Sequence, residues 1–134
     1  MIQPTGQNPY SARRRSSPEM RLQAECFKEA WNKYPETRRL LFHVANELDR
    51  AGDNARLGAI RRAEGIVKGV SDLVLLIPRG DFHGLMIELK WGDGRQRKEQ
   101  KEWQELVEAQ GYRYETIWTK KDFMALLEEY LNNA

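Results

Sequence analysis

One cysteine, Cys26, is all that this 134-residue chain contains. No disulfide can form within it, and a reducing compartment is the expectation. Long apolar runs are missing too. No stretch approaches the roughly 20 residues of a membrane span, so a helical membrane protein is excluded. The N-terminus is polar and then arginine-rich, without the pattern of a secretory leader. A cytoplasmic, non-secreted protein with no membrane partner is expected. Charge of one sign is also scarce, since 22 Lys/Arg stand against 20 Asp/Glu. The small excess conceals an asymmetry. Residues 1–70 hold 13 basic and 8 acidic side chains, and residues 71–134 hold 9 and 12. A basic first half suits a polyanionic partner such as nucleic acid. There are no internal repeats, and no small-molecule cofactor is expected.

A chain of this length makes one domain and buries roughly two-thirds of its unfolded surface. Residues 1–15 show no periodicity and read as a flexible basic tail ahead of a domain over 16–134. Ser16-Ser17-Pro18-Glu19 signals a helix start. That helix runs to about Tyr34, with Met20, Phe27, Trp31 and Tyr34 expected near one face. Leu40–Val44 is a short apolar run and a candidate strand. Asp53 could cap a helix carrying Leu57, Ile60 and Ala63, with Gly65 ending it. Val70–Ile77 and Leu85–Trp91 read as strands around the turn Pro78-Arg79-Gly80-Asp81. Gln96–Gln110 is helical, Tyr112–Trp118 is a strand, and Thr119-x-x-Asp122 opens a last amphipathic helix. Trp31, Trp91 and Trp103 are expected in the core. This order predicts an α/β domain with a mixed β-sheet flanked by helices.

Strand side chains alternate faces. Val70, Asp72, Val74 and Leu76 therefore share one face, and Met86, Glu88 and Lys90 share one face of the next strand. With Gly80 as the midpoint of a symmetric hairpin, Asp72 and Glu88 fall directly opposite each other. A bulge would shift that register by one. Two carboxylates opposed in an apolar sheet repel each other and lose solvation. One can protonate, a cation such as Lys90 can pair with them, or a divalent metal can sit between them. An acid pair with waters suits Mg²⁺ or Mn²⁺. Lys90 on the same face could then stabilise charge developing on a phosphate. Lys90 in a simple salt bridge near a sheet edge is the plainer alternative.

Gly69-Val70-Ser71-Asp72, then Gly84-Leu85-Met86-Ile87-Glu88-Leu89-Lys90, then Gln100 and Gly111-Tyr112, resemble the VRR-NUC domain, the virus-type replication–repair nucleases. These belong to the wider PD-(D/E)xK, restriction-endonuclease-like superfamily. The resemblance covers about Glu19 to Trp118. It implies a further acid on the first helix, where Glu19-x-x-x-Gln23 matches the spacing, with both side chains on one helical face. Glu19 could instead serve only the helix start, as acids do there; Glu25 is the fallback. Phe42-His43-Val44-Ala45-Asn46-Glu47 resembles a family signature, with Ala45 in place of proline. His43 reads as a core or supporting group rather than a general base. Asn46 and Glu47 either contact DNA or cap the next turn. Gln100 matches the family's helix glutamine. It also precedes Trp103 and Val107 by three and seven, which puts it on the inward stripe, facing a buried partner or the site.

The resemblance implies a divalent-metal phosphodiesterase acting on DNA. Asp72 and Glu88 would be metal ligands, the Leu89 carbonyl a third contact, and Glu19 a ligand directly or through water. Lys90 and Gln100 would act on the attacking water or the phosphate. Arg13–Arg15, Arg56, Arg61, Arg62, Lys68 and Asn46 are candidates for DNA contact. By analogy within the superfamily, a homodimer cutting branched or four-way DNA is expected, in a prokaryotic cell or encoded by a phage. The alternatives are a DNA-binding module without catalysis, a nuclease for linear or flap DNA, and an enzyme for another phosphate ester.

Overall fold

The computed structural model describes residues 17–45 and 55–134. The expected tail over 1–15, Asn46, Glu47 and the Asp53 cap lie outside the described residues. Helix α1 spans Pro18–Lys33, with the Ser17 hydroxyl accepting the Met20 N–H at 3.0 Å. Pro18 suits the first helical position, where no N–H is needed. The N–H of Tyr34 closes the helix on Ala30, and Pro35–Thr37 forms one 3₁₀ turn. The inward face of α1 differs from the expected one. Leu22, Cys26 and Ala30 are buried, whereas Met20 is 57% and Trp31 41% exposed. Phe27 and Tyr34 are only half-buried against the core. Small side chains at 26 and 30 let the helix approach the sheet closely, so the large aromatics turn to its flank.

Strands β1 (Leu41–His43), β2 (Leu73–Leu75), β3 (Leu85–Leu89) and β4 (Arg113–Ile117) form one sheet in the order β1-β2-β3-β4. The β1–β2 and β2–β3 pairs are antiparallel and β3–β4 is parallel. The parallel pair needs a crossover, which helix α3 (Lys98–Ala109) supplies. The second strand is shorter than the predicted 70–77, although Val44 N–H to Asp72 O and Leu76 N–H to Leu40 O extend its contact with the first.

Both sheet faces are covered. Leu73, Leu75, Leu85, Ile87 and Leu89 pack with α1 and with helix α4 (Lys120–Leu131). On α4, Phe123, Leu126, Leu127 and Tyr130 are buried, and the Tyr130 hydroxyl donates to the Ile77 carbonyl at 2.7 Å. Thr119 caps this helix by accepting the Asp122 N–H. On the other face, Val74, Met86 and Tyr114 pack under Trp103 and Val107 of α3. Trp103 thus meets the core, but Trp91 does not, being 54% exposed. The strand has ended at Leu89, and the chain turns outward at Trp91. Helix α2 (Ala55–Ala63) ends at Gly65, whose φ of 98° lets Ile66 and Gly65 N–H groups return to the carbonyls of Arg61 and Arg62. That pattern satisfies two orphan carbonyls of the last turn. Among the described residues, no helix is long and apolar enough to cross a membrane.

Candidate active site

The last ladder pair of the hairpin is Leu73 with Ile87. One step outward lie Asp72 and Glu88, at the end of the sheet between α1 and α3. Asp72 is fixed from both sides. Its carbonyl accepts the Val44 N–H at 3.0 Å and lies 2.7 Å from Nδ1 of His43. Its Oδ2 accepts the backbone N–H of Leu89 at 2.7 Å. The side chain therefore takes the place of a ladder partner, tying the end of β2 to β3. A residue's N–H and C=O point to the same strand edge, so the Leu89 carbonyl faces that edge as well.

Glu88, Lys90 and Gln100 are almost fully covered, at 2%, 6% and 4% exposure. Gln100 joins the other two. Its Nε2 donates to Oε2 of Glu88 at 3.0 Å, and its Oε1 accepts from Nζ of Lys90 at 2.9 Å. The same Oε1 accepts the Arg97 N–H at 2.8 Å, as the third residue of a helix does when it caps the start. Nζ of Lys90 lies 3.6 Å from Oε2 of Glu88. The start of α3 reaches this position because Gly69 has no Cβ. A Cβ there would stand 2.4 Å from the Glu99 carbonyl oxygen, and its φ of 91° suits glycine.

The electrostatics are those of crowded acids. Burial first, then the charge of the neighbouring Asp72 carboxylate, push the Glu88 carboxyl well above its usual range. Lys90 opposes that rise without cancelling it. Glu19 is also raised, by burial and then by Asp72, against the pull of Lys90 and Arg97. Oε1 of Glu88 is buried without a hydrogen-bond partner. A buried acceptor in that state calls for a proton or a cation. Glu19 lines a cleft with Gln23, His43 and Asp72, between α1 and the sheet edge. Glu25 lies elsewhere, beside Glu29 and Lys120.

Glu19, Asp72, Glu88, Lys90 and Gln100 are thus neighbours, although they come from four separate stretches of chain. The basic candidates are spread more widely. Arg56, Arg61 and Arg62 ride on α2, and Lys68 follows it, 3.5 Å from Glu99. Sequence reasoning passed over Arg97, whose charge acts on Glu19. Its signal was available, since it directly precedes the helix that carries Gln100.

A fit for a divalent ion rests on the orphaned Glu88 Oε1 beside the Asp72 carboxylate. Hard cations take such oxygens, with water filling the other positions. Among the described residues, no three His, Cys, Asp or Glu side chains gather closely enough for one ion. Asp72, Glu88 and the Leu89 carbonyl would be the protein ligands of such an ion.

A mixed four-stranded sheet between helices, with a buried glutamate, a half-buried aspartate, a lysine and a glutamine at its end, is compatible with the restriction-endonuclease-like class. The VRR-NUC domain family model matches residues 14–119. The chain belongs to the VRR-NUC family and carries a nuclease-type domain. A solved structure described as a VRR_NUC domain protein shares the fold, with a TM-score of 0.72 at 21% sequence identity. That likeness covers 87% of this chain and 90% of the other. No curated protein sequence matches the chain.

Proposed function

We propose that this protein is a divalent-metal-dependent DNA endonuclease whose site is Asp72, Glu88, Lys90, Gln100 and Glu19. The observation that carries the reading is the buried Glu88 carboxyl, one oxygen of it unpartnered, beside the half-buried Asp72 carboxyl and a lysine. A purely structural ion pair gains nothing from a second acid, which raises Glu88 further. Asp72, Glu88 and the Leu89 carbonyl would hold Mg²⁺ or Mn²⁺, with Glu19 acting through water. When bound, the ion supplies an activated water and polarises the phosphoryl oxygen.

The chain's own groups do the rest. The Leu89 N–H and the Asp72 carbonyl contacts hold one carboxylate in place. Gln100 holds the other by donating to it, and steadies Lys90 by accepting from it. Both ends of that amide are engaged within the protein, so Gln100 acts as a positioning residue. The Lys90 amine lies in a low-dielectric setting, where it can offset charge growing on a phosphate. Arg56, Arg61, Arg62, Lys68, Asn46 and the basic residues 13–15 would contact the DNA backbone, an interaction that weakens with salt. A homodimer, with two sites on two strands of branched or four-way DNA, completes the proposal.

The test incubates the protein with linear, flapped and four-way DNA in Mg²⁺, Mn²⁺ or chelator. Cleavage of branched DNA with metal, none with chelator, and none by Lys90→Ala are expected. Cleavage by Lys90→Ala at the wild-type rate would refute the site. Metal-independent DNA binding with no cleavage of any form would leave a binding module instead.

A further inference from the structure

The cleft beside the acids is larger and more apolar than a phosphodiester requires. It encloses about 500 Å³. Met20 and Phe27 of α1, Phe42 of β1 and Leu73 of β2 are among its apolar lining. Met20 is 57% exposed there. Two polar side chains, Gln23 and His43, sit among these apolar ones, and Glu19 and Asp72 belong both to the cleft and to the acid site.

The state of His43 follows from its partner. The Asp72 carbonyl, 2.7 Å away, can only accept, so Nδ1 carries the proton in that bond. In the neutral ring, Nε2 is then an acceptor. Gln23 offers both a donor and an acceptor. An apolar lining that includes the rings of Phe27 and Phe42, with a few polar groups among it, is what a nucleobase needs, with its greasy faces and hydrogen-bonding edge.

We infer that this cleft binds one unpaired nucleobase of the DNA whose phosphate lies at Asp72 and Glu88. The inference rests on the nuclease reading and names its substrate class. A base stacked and paired within a duplex cannot present its faces to a cleft, and extracting it carries an unstacking penalty. A base at a flap, a branch point or a strand end is already free. The cleft thus gives structure selectivity a location, which backbone contacts alone do not provide. An apolar side chain from a second copy fits less well. It would cover Gln23, the His43 acceptor and the Glu19 carboxyl without partners, and each such group loses its hydration unrewarded.

The experiment uses oligonucleotides carrying 2-aminopurine, a fluorescent adenine analogue. The probe stands at the unpaired nucleotide beside a flap, or at the same position in a full duplex. The full chain is titrated in Ca²⁺ and in chelator. The unpaired probe should change its fluorescence on binding and the paired probe should not. Met20→Ala should weaken flap binding about tenfold, in line with the loss of one buried apolar contact to the base, and more than it weakens duplex binding. Met20→Leu should restore it. Equal responses from both probes, or no effect of Met20→Ala, would overturn the inference. So would light scattering showing that Met20→Ala turns a dimer into monomers while the probe signal is unchanged. The two readings fail separately. A protein that cuts paired and flapped DNA equally keeps its nuclease activity and loses the base site. One that cuts nothing with any metal loses the nuclease reading, while the probe still decides the cleft.

Discussion

Side chains of residues 85–90, β3 and the residue after it, point in two directions, and the two sets differ in chemistry but not in burial. Leu85, Ile87 and Leu89 are fully covered on one side, and Met86, Glu88 and Lys90 are nearly so on the other, at 6%, 2% and 6% exposure. The first set meets α1 and α4 in a continuous apolar core. Each such side chain contributes about 1.5–3 kcal/mol through burial. The second set passes within three residues from a methionine under α3 to an acid with an unpartnered oxygen. Equal burial therefore does not mean equal purpose. One side stabilises the domain. The other holds charged groups away from water, where their interactions are strong but their solvation is lost.

The sharpest way to break this comparison is to change neighbours on opposite sides. Glu88→Gln should lower metal-dependent cleavage at least about a hundredfold, on the scale of losing one group that stabilises the transition state. In chelator it should unfold at the same temperature as the wild type or higher, because one of two crowded acids is gone. Thermal melts and a cleavage time course on the same preparation read both effects. A Glu88→Gln protein that still cuts, or that melts well below wild type, removes the distinction between the two sides.

The neighbouring change, Ile87→Ala, should do the reverse. It leaves a cavity in the apolar core and should cost about 2–5 kcal/mol of unfolding free energy. Well below its melting point the folded fraction should still cleave, since Ile87 faces away from the acids. Denaturant midpoints give the first quantity, and specific activity of the folded fraction gives the second. Greater destabilisation by Glu88→Gln than by Ile87→Ala would invert the comparison.

How much of this was readable in the sequence varies by element. Placing Asp72 opposite Glu88 came from counting outward from Gly80, and the ladder has that register. The count succeeded through two offsetting departures. The turn closes between Arg79 and Phe82, so its centre lies between Gly80 and Asp81. Residues 76–78 on one arm then face 83–84 on the other, and this extra residue restores the register. Period-2 patterning sees strand faces but not such irregularities. The position of Gln100 was legible because a polar residue on an inward stripe demands a partner. The tie from His43 to the Asp72 carbonyl was not, because a backbone acceptor leaves no trace in side-chain identity. Trp31 and Trp91 were misplaced for another reason. Side-chain size suggested core, whereas the closeness of α1 to the sheet and the outward turn after Leu89 decided exposure. The fold is set by many redundant apolar positions, and the site by a few polar ones whose partners come from distant segments.

The smallest expected effect is also the one whose sign separates the two sides most clearly. Without metal, burial and then Asp72 hold the Glu88 carboxyl above its ordinary value of 4.5, and burial and then Asp72 raise Glu19 as well. The folded protein therefore binds protons more tightly than the unfolded chain at these groups. Their contribution to stability is complete below the ordinary carboxylate range and is lost as pH rises through the folded values. In chelator, the melting temperature should thus fall between mildly acidic and neutral pH, by about a few degrees for a domain of this size. That slope opposes the usual acid denaturation of paired carboxylates. Added Mn²⁺ should flatten it, because ionised carboxylates bind the cation and its stabilising effect grows with pH. Glu88→Gln should remove most of the slope in chelator, and Ile87→Ala should lower the whole curve without changing its shape. A wild-type slope identical to that of Glu88→Gln would mean that the buried acid carries no proton to lose, and that Lys90 alone balances it.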